Sequence, residues 1–222
     1  MSFFDTWLGY VVGQQPEKQK ELDRQKFWES KWKTAKITYK GDGKYDRDVR
    51  TYLVGRSHIL EAEIKKFGLS KGDYANRVFL IEQHVRNKIK YKADVGEQWE
   101  SSPEVTLQKK EGDCEDHANL IKSLSLVAGV PDWMHKNAAG WVIDPNGTDD
   151  DIGHCYGLFL IDDDTWCAID STYRPQTLPL NKRLDHKSLF AYNPRKDSIW
   201  WTYNLNASYA QKNVKVEGRV KE

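Results

Sequence analysis

Cysteine is scarce in this chain: three in 222 residues, with no pair at Cys-x-x-Cys spacing. That excludes a disulfide framework and the usual zinc-binding spacings. Long apolar runs are absent, so no segment is expected to span a membrane. An excess of either charge is absent too. Lys and Arg total 34, Asp and Glu 33, and the formal net charge is +1. No overall field for nucleic acid or an anionic membrane surface follows, and no nucleic-acid partner is expected. The N-terminus "MSFFDTWLGYVVGQQPEKQ" has no basic start, Asp5 interrupts it, and no small-residue cleavage site follows. It is therefore not read as a secretory signal, and the sequons at Asn146 and Asn206 are read as chance.

What is present points to a folded, soluble protein. Aromatic residues make up 12%, with 9 Trp and 11 Tyr, and the mean hydropathy is -0.77. Such a composition argues against disorder, and the length allows one sizeable core with a smaller appendage. Charge is uneven along the chain. Between Asn137 and Tyr173 there are eight Asp and no Lys or Arg. A solvated acidic face is the plainer reading of that strip; a cation site or a basic partner is the sharper one.

Residues 1–13 place Phe3, Phe4, Trp7 and Val11 near one helical face. They read as a terminal helix docked on its own core or as an anchor into an assembly. A charged helix is expected over 17–35, and a hairpin or extended loop around Gly41-Asp42-Gly43. "SHILEAEIKKFG" predicts a short helix stopped by Gly68. "DYANRVFLIEQHVRNKIKY" predicts a longer one, with Val78, Ile81, Val85 and Ile89 on one face. The expected organisation is a mostly helical extension over 1–69, one domain over 70–204 and a basic tail over 205–222.

The most informative stretch is "KKEGDCEDHANLIKSLSLVAGVP". Asp113 predicts an N-cap and Asp116, three residues on, a capping box. Leu120, Ile121, Leu124, Val127 and Ala128 form one apolar stripe, Gly129 suits the C-terminal cap, and Pro131 ends the helix. Cys114 thus falls at the first helical position. The helix dipole there favours a thiolate, whereas Asp113, Glu115 and Asp116 oppose one. A neighbouring imidazolium is required.

"GHCYGLFLIDDDTWCAIDSTYRP" supplies it. The alternation predicts a hairpin of His154–Ile161 and Thr165–Asp170. A three-residue turn opposes Ile161 to Thr165 and Tyr156 to Asp170, so His154 lies one diagonal step from Asp170. One residue of slip would put the two on opposite faces. Cys114, His154 and Asp170 are the candidate catalytic triad: nucleophile, base and orienting anion. His117 reads as a neighbour or surface residue, His58, His84 and His186 as structural or solvated, and His135 as a cleft-lining residue. Cys155 and Cys167 alternate to the other face of the hairpin. In the register just given, Cys155 lies four residues beyond Phe159, the residue opposite Cys167, which is too far for a disulfide. A metal site at Cys114, His117 and His154 is disfavoured by its acidic flanks and by the lack of a fourth soft ligand.

"GDCEDHA", "AGVP", "GHCYGLFL" and "AIDSTYRP", preceded by "IKYKADVGEQWESSPEVTLQKKE", resemble the transglutaminase-like cysteine proteinases of bacteria and phages, within the papain-like superfamily. The resemblance covers roughly residues 74 to 204. It implies an α+β fold in which the nucleophile helix packs on an antiparallel sheet. It also implies a thiol-dependent amide-bond hydrolase acting on a protein or peptide through a thioester, with transamidation as the variant in which an amine replaces water. Gln98 or Trp99 stands where an oxyanion-hole or cleft-wall residue would come from. No cofactor is required. Some relatives bind calcium beside the cysteine through flanking acids, which Asp113 and Glu115 match. Many bacterial relatives are exported, whereas this chain shows no signal, so a phage or intracellular member, cytoplasmic or virion-associated, is expected. The alternative of another class is a structural or adaptor component of a virion or other assembly, using residues 1–13 or the C-terminal tail as contacts.

Overall fold

The computed structural model describes residues 17–31, 33–41, 45–94, 102–144, 151–161, 164–194, 198–210 and 220–221. Residues 1–13, Gln98, Trp99 and much of the tail lie outside them. The chain groups into two compact units, 1–33 and 34–222. In the first, helix α1 (17–29) carries i,i+4 hydrogen bonds from Gln19 to Asp23 and from Gln25 to Glu29. Its apolar residues Leu22 and Phe27 are about half exposed.

Where the second unit begins, β1 (Lys33–Thr34) and β2 (Lys36–Gly41) precede β3 (Tyr45–Asp48), and β2 pairs with β3 antiparallel, the hairpin alternative for the Gly-Asp-Gly stretch. Ser57 caps α2 (His58–Phe67), which stops at Gly68 in the left-handed conformation. Asp73 caps α3 (Tyr74–Lys88). The short β4 (Lys90–Tyr91) then pairs in parallel with β5 (Glu111–Gly112), with α4 (Pro103–Lys109) between them. This pairing ties the end of α3 to the residues that enter α5 (Cys114–Val127). Gly112 is dictated by that entry: a Cβ there would lie 2.6 Å from the Cβ of Asp116.

The rest of the chain is largely sheet. Strands β6 (His135–Ile143), β7 (Asp151–Leu160), β8 (Trp166–Ile169), β9 (Ile199–Tyr203) and β10 (Ser208–Ala210) join β1 in the order β1-β10-β9-β6-β7-β8. β11 (Val220–Lys221) pairs with β2. The hairpin register is the expected one: Phe159 faces Cys167, Leu160 faces Trp166, and Ile161 N–H bonds Thr165 O. Asp164, at φ 64°, takes the left-handed position that three-residue hairpin loops need.

Helix α5 packs between the sheet and α2, α3 and α4. It is buried on every side from Glu115 to Ser125 rather than along one stripe. Its polar residues are accommodated by specific partners. Asn119 accepts from Asn137 and Tyr203, Lys122 pairs with Asp132 at 2.8 Å, and Ser123 accepts the Val54 N–H. Its C-terminus is as predicted, with Gly129 at φ 83° and Val130 N–H on Ser125 O. A second core joins Ile37, Val49, Tyr52 and Leu53 to Trp201, Tyr203 and Ala210. Residues 34–69 therefore belong with the main body rather than with an extension over 1–69. The sheet also continues past 204, because Tyr209 and Ala210 bury their side chains. Among the described residues no helix is long and apolar enough to cross a membrane.

Candidate active site

The hairpin parity brings His154 and Asp170 together. His154 Nε2 is 2.7 Å from Asp170 Oδ2, and both side chains are almost wholly buried. Nε2 is thereby taken, which leaves Nδ1 as the nitrogen for a second partner. The His154 ring stacks on Tyr156 at 5.9 Å and 15° and meets the Tyr173 ring at 5.3 Å. These contacts fix its plane.

Asp170 is held on all sides. Oδ1 accepts the N–H groups of Thr172 and Tyr173 and the Thr172 hydroxyl, while Oδ2 also accepts the Tyr192 hydroxyl at 2.9 Å. Burial pushes this carboxyl up. The His154 charge and the donated hydrogen bonds outweigh burial, so it stays ionised below its ordinary value. Behind it, Asp170 N–H donates to Glu82 Oε1 at 2.9 Å. Glu82 is itself clamped by Arg183 through both carboxylate oxygens, and Arg183 also donates to Ala168 O.

Tyr192, Glu82 and Arg183 were not foreseen. Glu82 did leave a signal: it occupies the position four after Val78, on the apolar face of α3. The other two left none, since they arrive from a loop.

Cys114 opens α5 as expected, but its surroundings are acidic. Its Sγ donates to Glu115 Oε2 at 3.2 Å, and among the described residues no hydrogen bond joins it to His154. Burial pushes the thiol well up, and the charges of Glu115 and Asp113 add to this. The Cys155 backbone N–H acts in the opposite direction. Burial and Asp113 likewise raise Glu115 well above the carboxylate range, and burial raises Asp113. Asp113 makes no side-chain capping bond, contrary to expectation, and its Oδ1 is buried without a partner. The residues Asp113, Cys114 and Glu115 bring their ligand atoms within 4.8 Å of one another. The histidines of the disfavoured soft-metal site are not part of that group.

Two further expectations are corrected. His117 is not at the surface: it is buried, its Nδ1 is 2.8 Å from Ser171 Oγ, and burial lowers it to about 4. His135 lines no cleft: it opens β6 opposite Phe159, fully buried, and burial holds it neutral. Cys155 and Cys167 are free and buried, and Cys155 Sγ turns toward the Tyr203 hydroxyl, which bonds Asn119 of α5.

Asp116 gives a stability prediction. Burial, with Asp113 and Asp94, pushes its carboxyl up to about 7. A raised pKa means that the folded state binds the proton more tightly than the unfolded state. The associated stability is complete below the ordinary carboxylate range and is lost as pH rises through about 7. Asp116→Asn is therefore expected to raise the melting temperature of chelator-treated protein at pH 8 and to leave it unchanged at pH 4. Paired thermal melts check this.

Residues 65–171 match the family model described as Transglutaminase-like superfamily. None of the curated proteins matches the sequence. Among solved structures, LapG of Legionella pneumophila in an EGTA-treated form is 16% identical with a TM-score of 0.52, over 85% of this chain and 83% of that one. A second LapG structure is 17% identical at 0.52, over 85% and 86%. A calcium-bound LapG structure is 16% identical at 0.45, over 69% and 88%. At these identities the likeness is one of fold. Residues 65–171, the stretch that matches this superfamily's model, hold Cys114, His154 and Asp170.

Proposed function

We propose that the protein is a thiol-dependent amide-bond hydrolase acting on a protein or peptide, with Cys114 as nucleophile, His154 as base and Asp170 as the orienting anion. The observation that carries this reading is the buried 2.7 Å pair of His154 Nε2 and Asp170 Oδ2 on the sheet that α5 packs against. In the reaction the thiol proton passes to His154 Nδ1, and the sulfur attacks the amide carbonyl carbon. The proton then goes to the leaving amine as the C–N bond breaks, giving a thioester. Water attacks the thioester, His154 takes its proton and returns it to sulfur, and the acid is released. An amine in place of water would give transamidation by the same steps. Asp170 stabilises the imidazolium at each proton transfer.

The acidic mouth of α5 suits a hard cation. Two raised carboxylates, one with an unpartnered buried oxygen, offer Asp113 and Glu115 as calcium ligands, two of the six to eight oxygens that calcium takes. Calcium bound there would supply positive charge beside the thiol.

One observation favours the scaffold reading instead: the Cys114 thiol donates to Glu115, not to His154. Alkylation separates the two. Native protein is treated with iodoacetamide across pH, and Cys114, Cys155 and Cys167 are compared by peptide mass spectrometry. The hydrolase reading expects Cys114 to be modified first, and Cys114→Ala to lose all peptide hydrolysis. Modification of Cys155 or Cys167 ahead of Cys114 would sink it.

A further inference from the structure

Beyond Asp170 the chain runs out of the sheet and folds back through three short 3-10 turns before reaching Tyr192. This excursion borders an open groove of about 500 Å³, with Arg174, Pro175, Gln176, Leu189, Phe190 and Tyr192 among its lining. The groove adjoins the candidate triad directly. The Tyr192 hydroxyl that bonds Asp170 belongs to its wall, and Tyr173, next to Arg174, packs on the His154 ring.

The groove is built rather than loose. Gln83 of α3 donates to Gln176 O at 2.8 Å, and Arg183, anchored on Glu82, donates to Leu178 O at 3.0 Å. Its lining includes apolar surface: Phe190, beside Leu189, is 69% exposed. Elsewhere on the same excursion Leu184 is 64% exposed and Leu178 53%. Cations outnumber carboxylates along this excursion. Arg174, Lys182 and Lys187 are exposed, and among the described residues none of the three pairs with a carboxylate. The Arg174 guanidinium lies 5.2 Å from the Tyr173 ring, and Arg174 lines the groove. The one carboxylate of this excursion, Asp185, is engaged by the backbone N–H of Lys187.

We propose that this groove seats the substrate, and that the substrate is an extended acidic peptide segment with a bulky apolar residue on Phe190 and Leu189 and a carboxylate facing Arg174. The proposal rests on the hydrolase reading and deepens it by naming the substrate class. Apolar contact supplies affinity, and the cationic rim supplies selection between partners of opposite charge. A chain lying against Tyr192 is one side chain away from the His154–Asp170 pair.

The test measures binding without turnover. Full-length Cys114→Ala protein is titrated into a fluorescently labelled, end-blocked peptide of alternating glutamate and leucine, and into the same peptide with lysine for glutamate, by anisotropy. The acidic peptide is expected to bind about tenfold more tightly at low salt, and Arg174→Glu to weaken it by about tenfold. Phe190→Ser is expected to weaken both peptides. Both side chains are exposed, so unchanged melting temperatures serve as the folding control. Equal affinity for the two peptides, or an Arg174→Glu variant that binds as before, overturns the proposal. The two readings fail separately. Charge-selective binding with no hydrolysis by the Cys114 protein removes the hydrolase and keeps the groove; hydrolysis with groove variants that change nothing removes the groove.

Discussion

Asp170→Asn is expected to cut amide hydrolysis by about 10⁴-fold while leaving a folded protein. Asparagine is nearly isosteric, and its carbonyl oxygen still accepts from Thr172 and Tyr173. Its amide nitrogen, however, replaces the oxygen that now accepts from Tyr192 and faces His154 Nε2. A donor there forces His154 to present an acceptor at Nε2 and a proton at Nδ1, the tautomer that cannot take the thiol proton. Losing a charged acceptor should also cost about 1–3 kcal/mol of stability at neutral pH. The sign of the pH dependence follows from the Asp170 carboxyl, held below its ordinary value. Its contribution is present above the ordinary carboxylate range and fades as pH falls through its own folded-state value. The stability gap between wild type and variant should therefore close in acid. Kinetics, denaturant unfolding at pH 7 and pH 3, and the pH profile of Cys114 alkylation test this on one mutant. A destabilised Asp170→Asn protein with unaltered Cys114 alkylation would favour the scaffold reading.

The parts of this molecule that were legible in the sequence are those fixed by local rules. α5 declared itself through Asp113, the residues Leu120 to Leu124, and the Gly129-x-Pro131 ending. The His154–Asp170 pairing followed from counting parity across a three-residue loop, and Asp164 in the left-handed conformation shows the loop that made the count right. What was not legible depends on distant parts of the chain. Ile37, Tyr52 and Leu53 reach their core partners Trp201 and Tyr203 across some 150 residues, and nothing in their own stretch distinguishes a core strand from an appendage. His117 reads as a neighbour or surface residue and His135 as cleft-lining, and only packing shows them buried. The acidic cluster at Cys114 was read as repulsion; its burial turns repulsion into raised carboxylates and a protonated thiol.

Glu82 and Arg183 illustrate the same limit and carry the largest expected stability effect. Both side chains are 1% exposed, paired at 2.5 Å, and separated by 101 residues. Burial raises the Glu82 carboxyl even with Arg183 beside it. Arg183→Met leaves that carboxylate buried without its cation, and also strips donors from Ala168 O and Leu178 O. Breaking a buried pair in this way costs about 3–5 kcal/mol, which for a chain of this size lowers the melting temperature by roughly 10 °C. Glu82 would then hold a proton to higher pH than before. Since a raised carboxyl loses its stabilising contribution as pH rises, the variant should suffer more at pH 8 than at pH 5. Glu82→Gln combined with Arg183→Met should recover part of the loss, because the glutamine oxygen still accepts the Asp170 N–H and carries no charge. Catalysis is expected to follow the backbone of Asp170. The single variant should lose turnover more than substrate affinity, and the double variant should regain it along with stability. An Arg183→Met protein within about 1 kcal/mol of wild type at pH 8, or one equally destabilised at both pH values, would mean that Glu82 takes up another partner and that the clamp behind Asp170 is dispensable.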